Sequence, residues 1–194
     1  MAQVGILGYA VLGLLATEPR TGYELAQRMK APIGWMWSAQ HSQIYPELAR
    51  LTETGLVRST VIPGPGPRDT KRYQITTAGR RSLAAWADSP ITEVMRSELM
   101  LRVRVLWLVS PDRARLFLEQ QRQHQLDRLR VYAAEEADFA RHGDAVSDPS
   151  SSLFFAYATL RFGIGRTTQA LAWCDWLLEQ LAIAVDPIAL GAQS

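Results

Sequence analysis

The sequence predicts a mainly α chain: an N-terminal winged helix-turn-helix with a small β-hairpin wing, then a C-terminal helical domain. Three observations predict it. Residues 4–87 read in the order helix, helix, helix, hairpin, helix. The remainder reads as helix almost throughout, broken by one polar loop. Charge is uneven: residues 1–87 hold ten Lys+Arg against five Asp+Glu, net +5, and residues 88–194 hold eleven against fourteen, net −3. A basic part followed by an acidic part points to two modules with different partners. Phosphate backbones attract the first kind of surface.

The first helix is read from Val4 to Ala16, with Ile6, Leu7, Val11, Leu12, Leu14 and Leu15 apolar most of the way round, the mark of burial. Glu18-Pro19-Arg20 breaks it. Thr21-Gly22-Tyr23-Glu24 has the form of a capping box, in which hydroxyl and carboxylate satisfy each other's backbone N–H. It opens a second helix to about Met29. A third lies within Gln40 to Thr54, with Ile44, Leu48 and Leu51 at the spacing of one helical face. Gly55 supplies a left-handed stop. Pro46 is harmless only in the first turn; deeper in, it removes a hydrogen bond.

Leu56 to Ile62 and Lys71 to Thr76 read as two strands around the turn-rich tip Pro63 to Asp69, with Tyr73 and Ile75 on one side. A fourth helix runs from about Ala78 to Ala87, with Leu83 and Trp86 inward. Asp88-Ser89-Pro90 is the expected boundary between domains 1–88 and 89–194. Beyond it a helix is predicted over Val94 to Leu108. Ser110-Pro111, a favoured cap and first residue, starts a longer one to about Arg141. Its apolar seam is thin: Leu118, Leu126, Leu129, Tyr132, Ala133 and Phe139. His142 to Ser152 is a polar loop. The last helix, about Leu153 to Val185, is apolar over a very wide arc. A small module with a helix this apolar is expected to bury it in a dimer. The expected dimerisation residues are Leu118, Leu129, Phe154, Phe155, Trp173, Trp176, Leu177 and Leu181.

Composition narrows the class. Hydrophobic residues make up 47% of the 194 and charged residues 21%, ordinary soluble globular usage. One cysteine, Cys174, excludes an internal disulfide framework and a Cys-rich zinc site, and fits a reducing cytoplasm. No apolar run approaches the roughly 18 residues that span a bilayer, so no membrane partner is expected. The Val4–Ala16 stretch lacks a preceding basic segment and reads as a buried helix rather than a signal peptide. His41, His124 and His142 are scattered without metal-ligand spacing or a nucleophile to serve. Neither a metal, a cofactor nor a catalytic function is expected.

In this arrangement the third helix reads DNA, because an α-helix fits the major groove where base edges are distinguishable. Gln40 and Gln43 can pair with adenine, Ser42 with bases or phosphate, and Arg50 with phosphate or guanine. Tyr45 offers a hydroxyl to the backbone. Thr21 and Tyr23 join them from the second helix, and Arg68, Lys71 and Arg72 from the hairpin. Each has a bland counterpart: solvated polar residues on the third helix, a half-buried Tyr45, edge-strand charges that keep the wing soluble.

Four ordered blocks carry a resemblance: Leu7-Gly8-Tyr9-Ala10-Val11-Leu12-Gly13-Leu14-Leu15, Gly22-Tyr23-Glu24-Leu25, His41-Ser42-Gln43-Ile44-Tyr45-Pro46-Glu47-Leu48, and Lys71-Arg72-Tyr73-Gln74-Ile75-Thr76-Thr77-Ala78-Gly79. They resemble the PadR family of transcriptional regulators. Ser97-Glu98-Leu99-Met100-Leu101-Arg102 and the chain length resemble its subgroup with a long, virulence-activator-like C-terminal helical domain. The resemblance implies a homodimeric DNA-binding regulator on an inverted repeat, usually a repressor, often released by a small aromatic molecule. The Pro63–Pro67 tip departs from the family pattern.

For such an effector, Trp107 and Arg102 are the residues to test; Arg102 pairs equally well with Glu93 or Glu98. Aromatic residues more often form core or interface than a ligand pocket. The rival reading is a helical protein-interaction adaptor that keeps the winged fold without DNA. Salt separates the two, since phosphate binding weakens steeply as salt rises.

Overall fold

The computed structural model describes residues 4–30, 41–63, 70–91 and 97–185. The chain forms two compact units, Met1–Thr92 and Glu93–Ser194. In the first, the elements are α1 (Ile6–Thr17), β1 (Arg20–Thr21), α2 (Gly22–Lys30), α3 (His41–Glu53), β2 (Val57–Ile62), β3 (Thr70–Ile75) and α4 (Thr77–Ala87). The three strands form an antiparallel sheet in the order β1-β3-β2, with Ser59 opposite Tyr73 and Thr60 opposite Arg72. Among the described residues this is a winged helix-turn-helix. The two-residue β1, read from sequence as a helix break, is too short for any periodicity.

The core joins Val11, Leu12 and Leu15 of α1, Leu25 and Met29 of α2, and Ile44, Leu48 and Leu51 of α3 to Val57, Tyr73 and Ile75 of the wing. Each fully buried aliphatic side chain contributes roughly 1.5–3 kcal/mol, so these residues fix the angle between α2 and α3. α3 ends as its glycine requires. Gly55 has φ +71°, its N–H bonds the Thr52 carbonyl, and the Leu56 N–H bonds that of Leu51. Thr76 caps α4 by accepting from the Gly79 N–H at 3.1 Å, and its hydroxyl donates to Gly55 O at 2.8 Å. Tyr9 stacks on Trp86 at 4.6 Å between centroids, tying α4 to α1.

Gly79 lies against the chain that leaves α3. A Cβ there would stand 2.2 Å from the Leu56 carbonyl oxygen and 2.8 Å from the Ile75 side chain. Backbone cannot swing aside as a side chain can. Gly79→Ala is therefore expected to cost about 1–3 kcal/mol by overpacking, read as a lowered urea midpoint.

The second unit comprises α5 (Glu98–Arg104), a 3₁₀ turn (Leu106–Leu108), α6 (Pro111–Ala140), a second 3₁₀ turn (Gly143–Val146) and α7 (Ser152–Val185). The single helix predicted over Val94 to Leu108 is corrected. Ser97 caps α5 by accepting from the Met100 N–H, and Val105 leaves helical geometry at φ −115°, ψ 10°. Two β-branched residues, Val103 and Val105, weaken the helix there. Residues 94–96 lie outside the described residues. α6 and α7 pack as an antiparallel pair, held by Arg122 to Asp175, by the Tyr157 hydroxyl donating to Glu136 at 3.3 Å, and by Phe139 against Tyr157. Polar side chains are buried in this unit too: Gln125 and Tyr132 on α6, Thr167 on α7. Burial pushes the Glu135 carboxyl above the usual carboxylate range.

Candidate nucleic-acid interface

With Ile44, Leu48 and Leu51 in the core, α3 presents Ser42, Gln43, Tyr45, Pro46, Ala49 and Glu53 to solvent. Pro46 is the sixth residue of the helix and lies on this outer strip, past the first turn. The Ser42 carbonyl therefore has no N–H from residue 46, and its exposure to water lowers the cost. Gln40 and Arg68 lie outside the described residues.

The capping box forms as read: the Thr21 N–H donates to the Glu24 carboxylate at 2.7 Å, and the Glu24 N–H to the Thr21 hydroxyl at 3.2 Å. The Thr21 N–H bond chiefly, with lesser help from the hydroxyl and from Arg72 and Arg20, holds the Glu24 carboxyl below its usual range. Thr21 is thus committed to the cap, which leaves Tyr23 as the larger exposed group at this end of α2.

Tyr45 is 44% exposed and lies over the start of α2. A Cβ on Gly22 would stand 2.6 Å from its ring, so the glycine makes the seat. The Tyr73 phenol is held above its ordinary value by burial and secondarily by nearby Tyr45. Tyr45 therefore stands where α2, α3 and the sheet meet. Lys71 and Arg72 are exposed on β3, with Arg72 paired in register to Thr21 of β1.

Arg50 corrects the sequence reading. It is only 29% exposed and forms a two-point ion pair with Glu47, itself 14% exposed. The pair seats on α1, where a Cβ on Gly8 would meet Glu47 Oε1 at 2.3 Å and Arg50 Nη2 at 3.0 Å. Arg50 joins α3 to α1 and is withdrawn from the outer strip. The chain offers another cation in exchange. Arg28 and Gln27 line a shallow depression on α2 with Arg20, Tyr23 and Glu24. Sequence reasoning passed over Arg28, although Tyr23, Gln27 and Glu24, Arg28 recur four residues apart, the spacing of one exposed helical face.

In the second unit the expected dimerisation residues divide. Leu118 is 1% exposed within its own unit and has no area left to give a partner, which corrects its assignment. Leu129, Phe154, Trp173, Leu177 and Leu181 are half-buried, while Phe155 and Trp176 are more than half exposed. Arg102 bonds Glu98 through two guanidinium nitrogens, as its local alternative required. It also lines an open groove with Val105, Leu106, Val109, Arg113, Leu116, Phe117 and Gln120. Trp107 is 79% exposed and forms no part of that groove's wall, so the two residues named for an effector do not share it. Cys174 is buried, which pushes its thiol up and leaves it unreactive. Among the described residues no helix is long and apolar enough to cross a membrane, and no three metal-ligating side chains come together.

Comparison with known proteins agrees with this geometry. The profile of the PadR-like transcriptional regulator family matches residues 11–85, and that of the virulence activator α C-terminal region matches residues 95–182. The negative transcriptional regulator PadR of Bacillus subtilis is 30% identical over 179 residues, 91% of this chain and 97% of that one. The crystal structure of B. subtilis PadR in complex with operator DNA has a TM-score of 0.80 at 27% identity, covering 92% of this chain and 99% of that one. The same protein in complex with p-coumaric acid has a TM-score of 0.68 at 28% identity, covering 94% and 98%. The Vibrio cholerae virulence activator AphA has a TM-score of 0.70 at 28% identity, covering 92% and 99%. A winged helix-turn-helix followed by helices of the virulence-activator type, matched along nearly its whole length, places this chain in the PadR-like family of transcriptional regulators.

Proposed function

We propose that the protein is a homodimeric repressor that binds an inverted-repeat operator and is released by a small aromatic effector. Residues 1–88 carry DNA binding, and residues 89–194 carry dimerisation and the effector. The observation that carries the reading is the outer strip of α3. Ser42 and Gln43 are presented beside Tyr45, with Tyr23 and Arg28 on α2 and Lys71 and Arg72 on the wing. Polar base-reading groups on a helix, flanked by hydroxyls and cations, match the division between base contacts and phosphate contacts. The B. subtilis relative supports repression, operator binding and an aromatic effector: it is a negative regulator and is solved with operator DNA and with p-coumaric acid. The groove beside Arg102 and Arg113 offers apolar walls and the Arg113 guanidinium, with Arg102 held by Glu98 at its edge, the chemistry an aromatic carboxylate requires.

Fluorescence anisotropy on DNA upstream of the protein's own coding region tests it, against unrelated DNA of equal length across a salt series. Tight, salt-sensitive binding with preference for the upstream DNA supports the regulator. Loss of the complex on adding p-coumaric acid supports the effector. No binding at low salt overturns the DNA reading in favour of the adaptor.

Two variants sort the contacts. Gln43→Ala is expected to lose about 1–3 kcal/mol of discrimination at one base pair, read by competition with operators substituted at each position. Arg72→Ala is expected to weaken binding to all sequences alike and to lower the slope of log K against log salt by about 1.

A further inference from the structure

Four exposed residues of α3 make one row. At 3.6 residues per turn, Ser42, Pro46, Ala49 and Glu53 fall within an arc of about 60°. All four are exposed, and the row stands opposite Ile44, Leu48 and Leu51, which face the core. Gln43 lies roughly 90° to one side of the row and Tyr45 about 70° to the other. The row is therefore the part of α3 that enters a groove deepest, and Gln43 and Tyr45 flank it.

The chemistry of the row is narrow. Pro46 and Ala49 form its middle, and neither side chain donates or accepts a hydrogen bond. Proline has no backbone N–H either. Ser42 brings one small hydroxyl. Glu53, when ionised, only accepts, and it stands on the last residue of the helix, roughly 16 Å beyond Ser42. Phosphates repel its charge, which favours entry by the first turns of α3. Arg50 is the one arginine of α3, and Glu47 holds it through two guanidinium nitrogens against α1. Arginine is the commonest reader of guanine, and on this helix it is engaged elsewhere.

An apolar surface in the major groove has one methyl group to meet, the C5-methyl of thymine. Pro46 and Ala49 gain by burying it. Against a G·C pair they would cover O6, N7 or the N4 amino group without satisfying them, and an unsatisfied polar group costs more than a methyl contact returns. Gln43 at their side has the bidentate amide that matches adenine, thymine's partner. The two kinds of reader select the same base pair.

We infer that Pro46 and Ala49 are specificity-determining residues that read thymine methyl groups, so that each half-site holds A·T pairs under the middle of α3. This rests on the DNA-binding reading above and gives it a base class. It also gives a use to a proline past the first turn of a helix: the contact of its ring in the groove offsets the lost hydrogen bond.

Replacing thymine by deoxyuridine removes the methyl and leaves the hydrogen-bonding edge intact. The probe is the upstream duplex, with each thymine replaced in turn, competed against the unmodified duplex for the full-length protein. Uracil under Pro46 or Ala49 should weaken binding about three- to fivefold per half-site, the effect of burying one methyl group. Ala49→Gly should bring the thymine and uracil versions of its own pair to equal affinity. Pro46→Ala, which restores a backbone N–H and a better helix former, should lower the ratio at its pair. The ratio is taken within one variant, so a change in helix stability does not enter it. Tight, salt-sensitive binding of the upstream DNA that no uracil substitution weakens would overturn the inference and leave the regulator standing. Uracil effects that persist undiminished in both variants would assign the methyls to another element and overturn it too. No salt-sensitive binding of any duplex would overturn the DNA reading and this inference with it.

Discussion

Gly22→Ala is expected to weaken operator binding about ten- to a hundredfold while leaving the fold intact, because a hydrogen bond to a charged group contributes roughly 1.5–3 kcal/mol. Gly22 is the first residue of a helix, where alanine is the better helix former. What the position needs is the absence of a side chain. The new Cβ would stand 2.6 Å from Tyr45 Cε1 and 3.1 Å from Cζ, closer than carbon atoms approach. The ring is 44% exposed and can swing outward, so the strain is relieved by moving Tyr45 and not by unfolding. Its hydroxyl then leaves the place where α2, α3 and the sheet converge. Tyr45→Phe, which keeps the ring and removes the hydroxyl, should lose a similar amount. Gly22→Ala in a Tyr45→Ala background should cost nothing further, since the residue it displaces is gone. Anisotropy with unchanged thermal unfolding reads all three. Operator binding by Gly22→Ala at the wild-type level would remove Tyr45 from the interface.

What could be read from the sequence was local, and what could not was tertiary. The capping box of Thr21 and Glu24, the stop at Gly55 and the buried face Ile44, Leu48, Leu51 each depend on residues within about two turns of each other, and all form. Arg50 looked outward because spacing alone places it near Gln43. Its withdrawal depends on Gly8, more than forty residues earlier, which leaves room for the Glu47–Arg50 pair on α1. The break at Val105 passed unread because residues 91–109 carry no glycine or proline to announce it. β1 exists only because β3 offers it an edge. In α7 the apolar arc was visible, but dividing it into an inner and an outer face required knowing which side α6 occupies. That missing fact put Leu118 and Trp176 in one group, although one closes a protomer and the other is left open.

Trp176→Asp is expected to have the largest effect of all. At 52% exposure the indole contributes little to its own protomer, so the substitution should change monomer stability by no more than about 0.5 kcal/mol, as for other surface positions. In the dimer it acts twice, once on each copy. Truncating a large aromatic anchor at an interface costs about 2–4 kcal/mol, and a carboxylate without a partner adds to that. Two sites then raise the dimer dissociation constant by roughly 10³ or more. Sedimentation velocity should show monomers at concentrations where wild type is dimeric. Operator affinity should fall about 10²- to 10⁴-fold, because the second half-site loses the effective concentration that the first supplied. Affinity for a single half-site should stay at the wild-type value, since α3 and the wing are untouched. Leu177→Asp makes a poorer test: Leu177 is half-buried in the lone protomer, and a charge there threatens the fold itself. The contrast between neighbours is the stronger evidence. If dimers are lost in both, but only Leu177→Asp also lowers the unfolding temperature, then the fold and the interface are served by different faces of the same helix.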